Sequence, residues 1–384
     1  MVEARRNAGL GAAISLLLAC EVHGFIGSNA GGDGTGGSGP GDEGSVTTPA
    51  TGSADDAGTV ADDGPGETTS LRFDVALPDA PASCEPPTHD PCDDDDDPIH
   101  ALGMGCPGDA TVHGSFRGHS SAMMVHRGVI GTSGEYGPRE GERFVVLSTG
   151  KAGQLPRTPA QLQIEDPSCN PLQCPSTQLS DEVLGVLPSP IDVRSVSDSG
   201  VDCSDDPQLV GSGDCSNSIE ELFQRGGGAY DYAELRVETE VPGNVDGLSY
   251  EFAFFTAEYP DYVNHAAPFS DMYIAWLESE SWTGNISFDE GGNPISVNTV
   301  LLDYKDAPSA SCGECAAPEL AGFAMQGHAA TRWLATNAPV RAGEVITLVF
   351  SIFDMNNGKY DSAVALDHFE WTCSGAPPFT TPVG

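Results

Sequence analysis

Four acidic side chains, Glu258, Asp271, Asp354 and Asp361, stand at the ends of alternating apolar stretches, and no Lys or Arg occupies the matching positions. Carboxylates brought together without a counter-charge repel, and their pKa values rise unless a cation sits between them. If the strand ends carrying these four meet at one rim, a hard cation with flexible oxygen ligands fits best. Calcium is that ion, with the Asn356 amide and backbone carbonyls as further donors. The run Asp354-Met355-Asn356-Asn357-Gly358 alternates oxygen-bearing side chains before a Gly turn, although its Gly comes one place early for an EF-hand loop. A second reading stands beside the first: acids at strand ends cap turns and accept from backbone N–H groups.

Other residues with chemical potential lead to less. There is no Gly-x-Ser-x-Gly elbow, His-Glu-x-x-His pair or phosphate loop. His113, His119 and His126 have neither helix-face nor zinc-finger spacing. A glycoside hydrolase needs only two carboxylates at the right separation, so hydrolysis is a minor alternative without a marked pair. Tyr259, Tyr262, Trp276 and Trp282, if exposed, could stack on sugar rings, with Tyr259, Tyr262 and Trp282 as the ligand candidates of a lectin-like module; the plainer reading is that such residues fill the sandwich core. The Asp93–Asp97 run lacks the interleaved spacing of a calcium loop and reads as a solvated segment.

The elements that must position these groups are strands. Leu235, Val237, Thr239 and Val241 alternate with Arg236, Glu238 and Glu240, and Pro242-Gly243-Asn244 then turns the chain into the alternating run Leu248–Phe255. Further strands are expected at Arg143–Ser148, Met272–Leu277, Ile295–Val300, Val345–Phe353 and Ala363–Trp371. Val345–Phe353 is apolar at nearly every position, as a central strand covered on both faces would be. Helical patterning is confined to Ser218–Arg225 and a turn near Glu319–Ala324. The expected fold class is therefore all-β: an antiparallel two-sheet sandwich of jelly-roll type over residues 106–373, followed by a tail, 374–384.

The N-terminal end carries different information. Arg5 and Arg6 precede an apolar run from Ala8 to Ala19, too short to span a bilayer but suited to a signal peptide. Leu17-Leu18-Ala19-Cys20 has the order of a lipobox, which makes residues 1–20 a lipoprotein signal and Cys20 the lipidation site. Residues 21–83, rich in Gly, Ser, Thr, Asp and Pro, bury too little apolar surface to fold and are expected to form a disordered tether. Residues 84–105 form a Cys- and Asp-rich lead-in. The remaining cysteines, Cys84, Cys92, Cys106, Cys169, Cys174, Cys203, Cys215, Cys312, Cys315 and Cys373, are even in number and read as disulfides in an exported protein. Cys312-Gly313-Glu314-Cys315 has redox-motif spacing without the surrounding βαβ pattern, so a loop staple is expected. The formal charge of −41 opposes nucleic acid as a partner. Membrane association is expected through lipid alone, and the location is extracytoplasmic: a membrane-anchored bacterial lipoprotein of the cell envelope or cell surface.

Four stretches together resemble a known family: Glu142–Gly150, Asp231–Leu235, Tyr250–Val263 continuing to Phe269–Tyr273, and Ile352–Val364. The chain is similar over roughly residues 100–373 to the choice-of-anchor L domain of bacterial surface proteins, and its Cys-rich style is similar to myxobacterial lipoproteins. Thr256-Ala257-Glu258-Tyr259 stands where that family usually has Ser-Glu-Glu-Tyr, and Ser270-Asp271 where it has Asn-Asp. The resemblance implies a surface location and a sandwich fold, and no enzymatic activity is established for the family. The expected role is adhesion or interaction with a surface glycan or protein ligand.

Overall fold

The computed structural model describes residues 83–169, 174–193, 219, 223, 227–264, 270–309 and 312–383. The chain divides into Met1–Asp74 and Val75–Gly384, and every described residue belongs to the second unit. The signal, Cys20 and almost all of the tether lie outside the described residues, as do Cys203, Cys215 and the Ser218–Arg225 helix apart from Ile219 and Phe223. No helix among the described residues is long and apolar enough to cross a membrane.

Two antiparallel sheets face each other. The first contains β1 (Val112–Arg117), β5 (Ala229–Glu240), β13 (Val345–Met355), β7 (Met272–Glu278) and β8 (Thr283–Asn285) in that order. Two short strands, β4 (Val183–Leu184) and β9 (Ile295–Ser296), attach to β5 and β7. The second sheet runs β10 (Tyr304–Lys305), β11 (Ala329–Ala330), β6 (Gly247–Thr256), β14 (Ser362–Thr372), β3 (Arg143–Ser148) and β2 (Met123–Arg127). Its β12 (Leu334–Pro339) pairs with both β6 and β15 (Phe379–Pro382).

Alternation explains the strands, and burial of both faces explains why two of them look apolar throughout. On β6, Leu248, Tyr250, Phe252 and Phe254 enter the core between the sheets, while Ala253 and Phe255 enter a second cluster with Tyr136, Phe323 and Trp333. On β13, Ile346, Leu348, Phe350 and Ile352 face the inter-sheet core. Val349, Phe353 and Met355 face a third cluster with Ile274, Trp276, Leu187 and Ile191. Aromatic rings dominate these clusters; the Tyr250 and Phe350 ring centroids lie 4.9 Å apart in an edge-to-face contact.

Several expectations are adjusted. The Ile295–Val300 strand is only Ile295–Ser296, because the chain turns at Thr299, whose N–H bonds Ser296 O at 3.1 Å. A helix absent from the sequence reading, α1 (Pro159–Glu165), is made by a capping box: Thr158 accepts from the Gln161 N–H and Gln161 reaches back to the Thr158 N–H. The segment read as a tail contributes β15, and Cys373 before it is bonded to Cys84. Further disulfides are Cys92–Cys106, Cys169–Cys174 and the staple Cys312–Cys315. Within the Asp run, Asp93 is buried and accepts from the Glu142 and Arg143 N–H groups at 2.7 and 2.6 Å, whereas Asp94–Asp97 are exposed.

Candidate functional site

The topology delivers acidic side chains from both sheets to one rim. Glu258 follows the end of β6, Asp271 precedes β7, Asp354 is the penultimate residue of β13, and Asp361 immediately precedes β14. All four are buried, with Asp354 fully so. The Asp271 N–H donates to Glu258 Oε2 at 2.9 Å, and the Ser362 hydroxyl donates to Asp271 Oδ2 at 2.6 Å. Asp354 lies between Asp271, with which its carboxyl interacts directly, and Asp361, which repels it.

The sequence reading missed Asp231, the third residue of β5. Its Oδ1 accepts from the Leu179 and Ser180 N–H groups at 2.9 and 2.6 Å, and its charge acts on Asp354 and Asp361. The signal available was its place at the start of a strand within one of the family-like stretches. Thr149 and Ser362 were also missed. The Ser362 N–H donates to Thr149 Oγ1 at 3.0 Å, and the Thr149 hydroxyl flanks Asp354.

The electrostatics follow from burial. Burial pushes Glu258 up to about 8, only partly opposed by the Asp271 N–H. Asp361 is pushed up to about 7 by burial, against the Thr177 N–H that donates to its Oδ1 at 2.7 Å. Asp271 and Asp354 are held well above the usual carboxylate range, first by burial and then by the neighbouring carboxylates. Asp231 is raised by burial as well. Neither oxygen of Asp354 has a hydrogen-bond partner, nor has Asp361 Oδ2 or Asp231 Oδ2, although all are shielded from solvent. Among the described residues, no Lys, Arg or His forms an ion pair with these acids.

Turn capping accounts for one oxygen of Asp361 and one of Asp231. It does not account for Asp354, whose two oxygens lie in the interior without a well-formed hydrogen bond, with only the Thr149 hydroxyl and the Asp271 carboxyl against them. Native structures rarely leave buried acceptors in that condition. A proton shared with Asp271 or an oxygen-seeking cation would satisfy them. The Asn356 Oδ1 accepts from the Gly227 N–H. Backbone strain gathers at the same rim. Asp231, Asn356 and Tyr360 have φ of +48°, +71° and +63°, conformations that non-glycine residues seldom adopt. Gly150 and Gly358 give the acids room, since a Cβ at either would overlap Asp361 Oδ2 or Asp231 Oδ2.

The segment 174–182 straps the rim. Asp361 N–H donates to Pro175 O at 3.1 Å, and Tyr360 N–H to Ser176 Oγ at 3.3 Å. Buried His328 spans strap and rim, with Nδ1 2.9 Å from Tyr259 O and Nε2 2.7 Å from Cys174 O.

The aromatic candidates are corrected. Tyr259 is fully buried in the inter-sheet core and its hydroxyl donates to Ala307 O at 2.6 Å. Trp276 is buried under the third cluster, because the outer face of its sheet is covered rather than solvated. Tyr262 is half-buried, its ring 5.3 Å from that of Tyr360, and Trp282 is half-buried against the core.

Two antiparallel sheets with an acidic rim define a β-sandwich module. Residues 194–370 match the model of the choice-of-anchor L domain. That match, just under half of the chain, suggests a surface-associated bacterial protein. No curated protein matches the chain, and no solved structure does.

Proposed function

We propose that this chain is a lipid-anchored surface module that acts by adhesion or interaction rather than catalysis, with a calcium ion bridging its two sheets at the rim. The observation that carries the calcium reading is Asp354, a fully buried carboxyl with no well-formed hydrogen bond to either oxygen and further carboxylates on either side. The candidate ligands are Glu258, Asp271, Asp354, Asp361 and Asn356, whose side-chain oxygen keeps a second lone pair beside its bond from the Gly227 N–H, with Asp231 added by the fold. All are oxygen donors, the set a hard cation prefers. The lipid anchor rests on the Leu17-Leu18-Ala19-Cys20 sequence, and surface display rests on the domain match.

Thermal unfolding of the purified full chain in chelator and in millimolar calcium tests the metal. A rise in Tm with calcium, not reproduced by magnesium, supports the reading, and identical curves reject it. Replacement of Cys20 by Ser should release the chain from the membrane fraction of an expressing bacterium. A variant that stays in that fraction would reject the anchor while leaving the calcium result untouched.

A further inference from the structure

Away from the rim, the lead-in packs against the irregularity in β14 and encloses a cavity of about 140 Å³. Much of its wall is apolar. Met104 and Phe369 are buried, and the Phe369 and Trp371 rings meet edge to face with centroids 5.0 Å apart. Exposed Thr88 and Glu370 also line it and open it to solvent. Two polar atoms of its lining side chains are left over. His89 Nε2 and Glu140 Oε2 are shielded from solvent, and neither has a hydrogen-bond partner. Native interiors rarely leave polar atoms in that state unless something else occupies the space.

The surroundings make both atoms acceptors. His89 Nδ1 lies 3.3 Å from Asp109 Oδ1, and the Cys106 N–H holds Asp109 in turn by donating to its Oδ2 at 2.9 Å. A carboxylate at Nδ1 places the proton of the neutral ring there and leaves Nε2 with its lone pair. That nitrogen stands 3.4 Å from Glu140 Oε1. Burial raises Glu140, against the charges of His89 and then His368. Buried Asp367 fixes the turn that carries Glu140, accepting from the Arg139 and Glu140 N–H groups at 2.6 and 3.4 Å. Gly103, at φ +89°, keeps space in front of the carboxylate, since a Cβ there would come within 2.6 Å of Glu140 Oε2. His368 also lines the cavity, but its Nδ1 is 3.1 Å from Glu251 Oε1, which matches its charge. With Asp109, Glu140 and Glu370 in the wall, the lining is acidic.

We propose that His89 and Glu140 bind the primary ammonium group of an alkylamine whose chain lies against Met104, Phe369 and Trp371. The two side chains supply acceptors, and an ammonium supplies three donors and no acceptor. One nitrogen at an ordinary hydrogen-bond distance of about 2.7–3.2 Å from each bridges two acceptors 3.4 Å apart. The aromatic wall offers apolar contact to the chain and a ring face to the cation. A benzene-sized guest fills a cavity of about 150 Å³, so this one takes a stem of about five or six atoms. A lysine side chain, with its four-carbon stem, and a short free amine both have that length. An anion would be repelled by the acidic lining, and an alcohol brings one donor to two acceptors. Asp109 is a positioning residue that acts through the His89 ring.

The probes are n-pentylamine and its uncharged counterpart n-pentanol. Each is titrated into the purified full chain at pH 8 by calorimetry, at two temperatures so that a vanishing heat at one is not taken for absence of binding. Saturable binding of one equivalent of pentylamine, at least tenfold tighter than pentanol, is the expected result. Glu140→Gln, which keeps the shape and removes the charge, should weaken the amine at least tenfold. His89→Phe, which removes the lone pair, should weaken it as well, and the rim variant Asp354→Asn should leave it unchanged. A lysine-bearing tripeptide with blocked ends separates the two sources: binding tighter than pentylamine assigns a protein ligand, and weaker binding assigns a free amine. Equal affinity for pentanol and pentylamine overturns the proposal, because the cavity is then only an apolar hole. No saturable binding at either temperature overturns it too, a proton shared by Glu140 and His89 then satisfying both. Full-strength amine binding in Glu140→Gln, shown to be folded by circular dichroism, overturns it equally.

Discussion

The Thr177 N–H donates to Asp361 Oδ1 at 2.7 Å across 184 residues of sequence, fastening the strap to the acid that opens β14. That bond occupies one oxygen and leaves Oδ2 buried and unpartnered. The strap therefore closes over the rim without neutralising it. Burial without neutralisation makes the stability of the rim depend on what else binds there.

Asp354 is the most direct probe of that dependence. Its carboxyl is buried, repelled by Asp361 and Asp231, and touched by the Thr149 hydroxyl and the Asp271 carboxyl without a well-formed hydrogen bond to either oxygen. Asp354→Asn removes the charge while nearly preserving shape. In chelator the variant should be at least as stable as the parent, because it carries no charge to be repelled and its amide can donate to the neighbouring carboxylates. In calcium the order should invert, because the parent gains a ligand that the variant has lost. Denaturant midpoints of both proteins, with and without calcium, check the inversion.

The pH response has a definite sign. In the folded chain Glu258 lies at about 8 and Asp361 at about 7, against ordinary values of 4.5 and 3.8. A raised folded pKa means that the native state holds protons that the unfolded chain has released. The stabilisation is full below the unfolded values and is lost as pH climbs through the folded ones. In chelator, stability should fall between pH 5 and pH 8, by at most about 1.4 kcal/mol per pH unit for each group. Calcium should flatten or reverse the slope, since the metal favours the ionised forms. Urea titrations at pH 5, 6, 7 and 8 measure it; a slope unchanged by calcium would detach the metal from these carboxylates.

Much of this was legible in sequence, for a physical reason. Period-two alternation with one covered face marked β5, and continuous apolar character marked β13, because each pattern reports how many faces a strand buries. Glu258, Asp271, Asp354 and Asp361 were legible because strand ends are marked by turns, and strand ends of facing sheets share rims. Asp231 was not, since it sits inside a strand where an acid reads as a solvent-facing residue. Sequence left Tyr259 and Trp276 open between surface and core because alternation cannot show whether the second face of a sheet is covered by loops, and the structure buries both.

Gly150 makes the rim compact. A Cβ at this position would overlap Asp361 Oδ2 and Cγ, so the carboxylate must move or the strand must. Gly150→Ala should destabilise the calcium-bound protein by about 1–3 kcal/mol, the range of overpacking in a tight interior. It should also reduce the calcium-induced rise in Tm, because Asp361 is displaced from its partner Thr177. A control at Gly153, where nothing lies within 4 Å of the added Cβ, should leave that rise intact.

The Cys84–Cys373 disulfide supports the chain ends of the module. It joins the lead-in to the residue after β14 across 289 positions, with Cα atoms 5.8 Å apart. Nearby, the Glu85 N–H bonds Asn244 O at 3.2 Å, and Asp246 N–H bonds Thr372 O at 3.3 Å. The bridge thus clamps a point where the lead-in, the β5–β6 turn and the end of β14 converge. Closing so long a loop removes much of the unfolded chain's freedom. The double replacement Cys84→Ser/Cys373→Ser should cost about 2–5 kcal/mol. Hydrogen exchange should show the loss first at β15 and its partner β12, because β15 hangs from the sheet edge beyond Cys373. The calcium response should persist, since the strap and rim hold together through Thr177, Asp361 and His328 without this bridge. Simultaneous loss of the calcium response and of β15 protection would mean that the rim and the chain ends unfold as one unit.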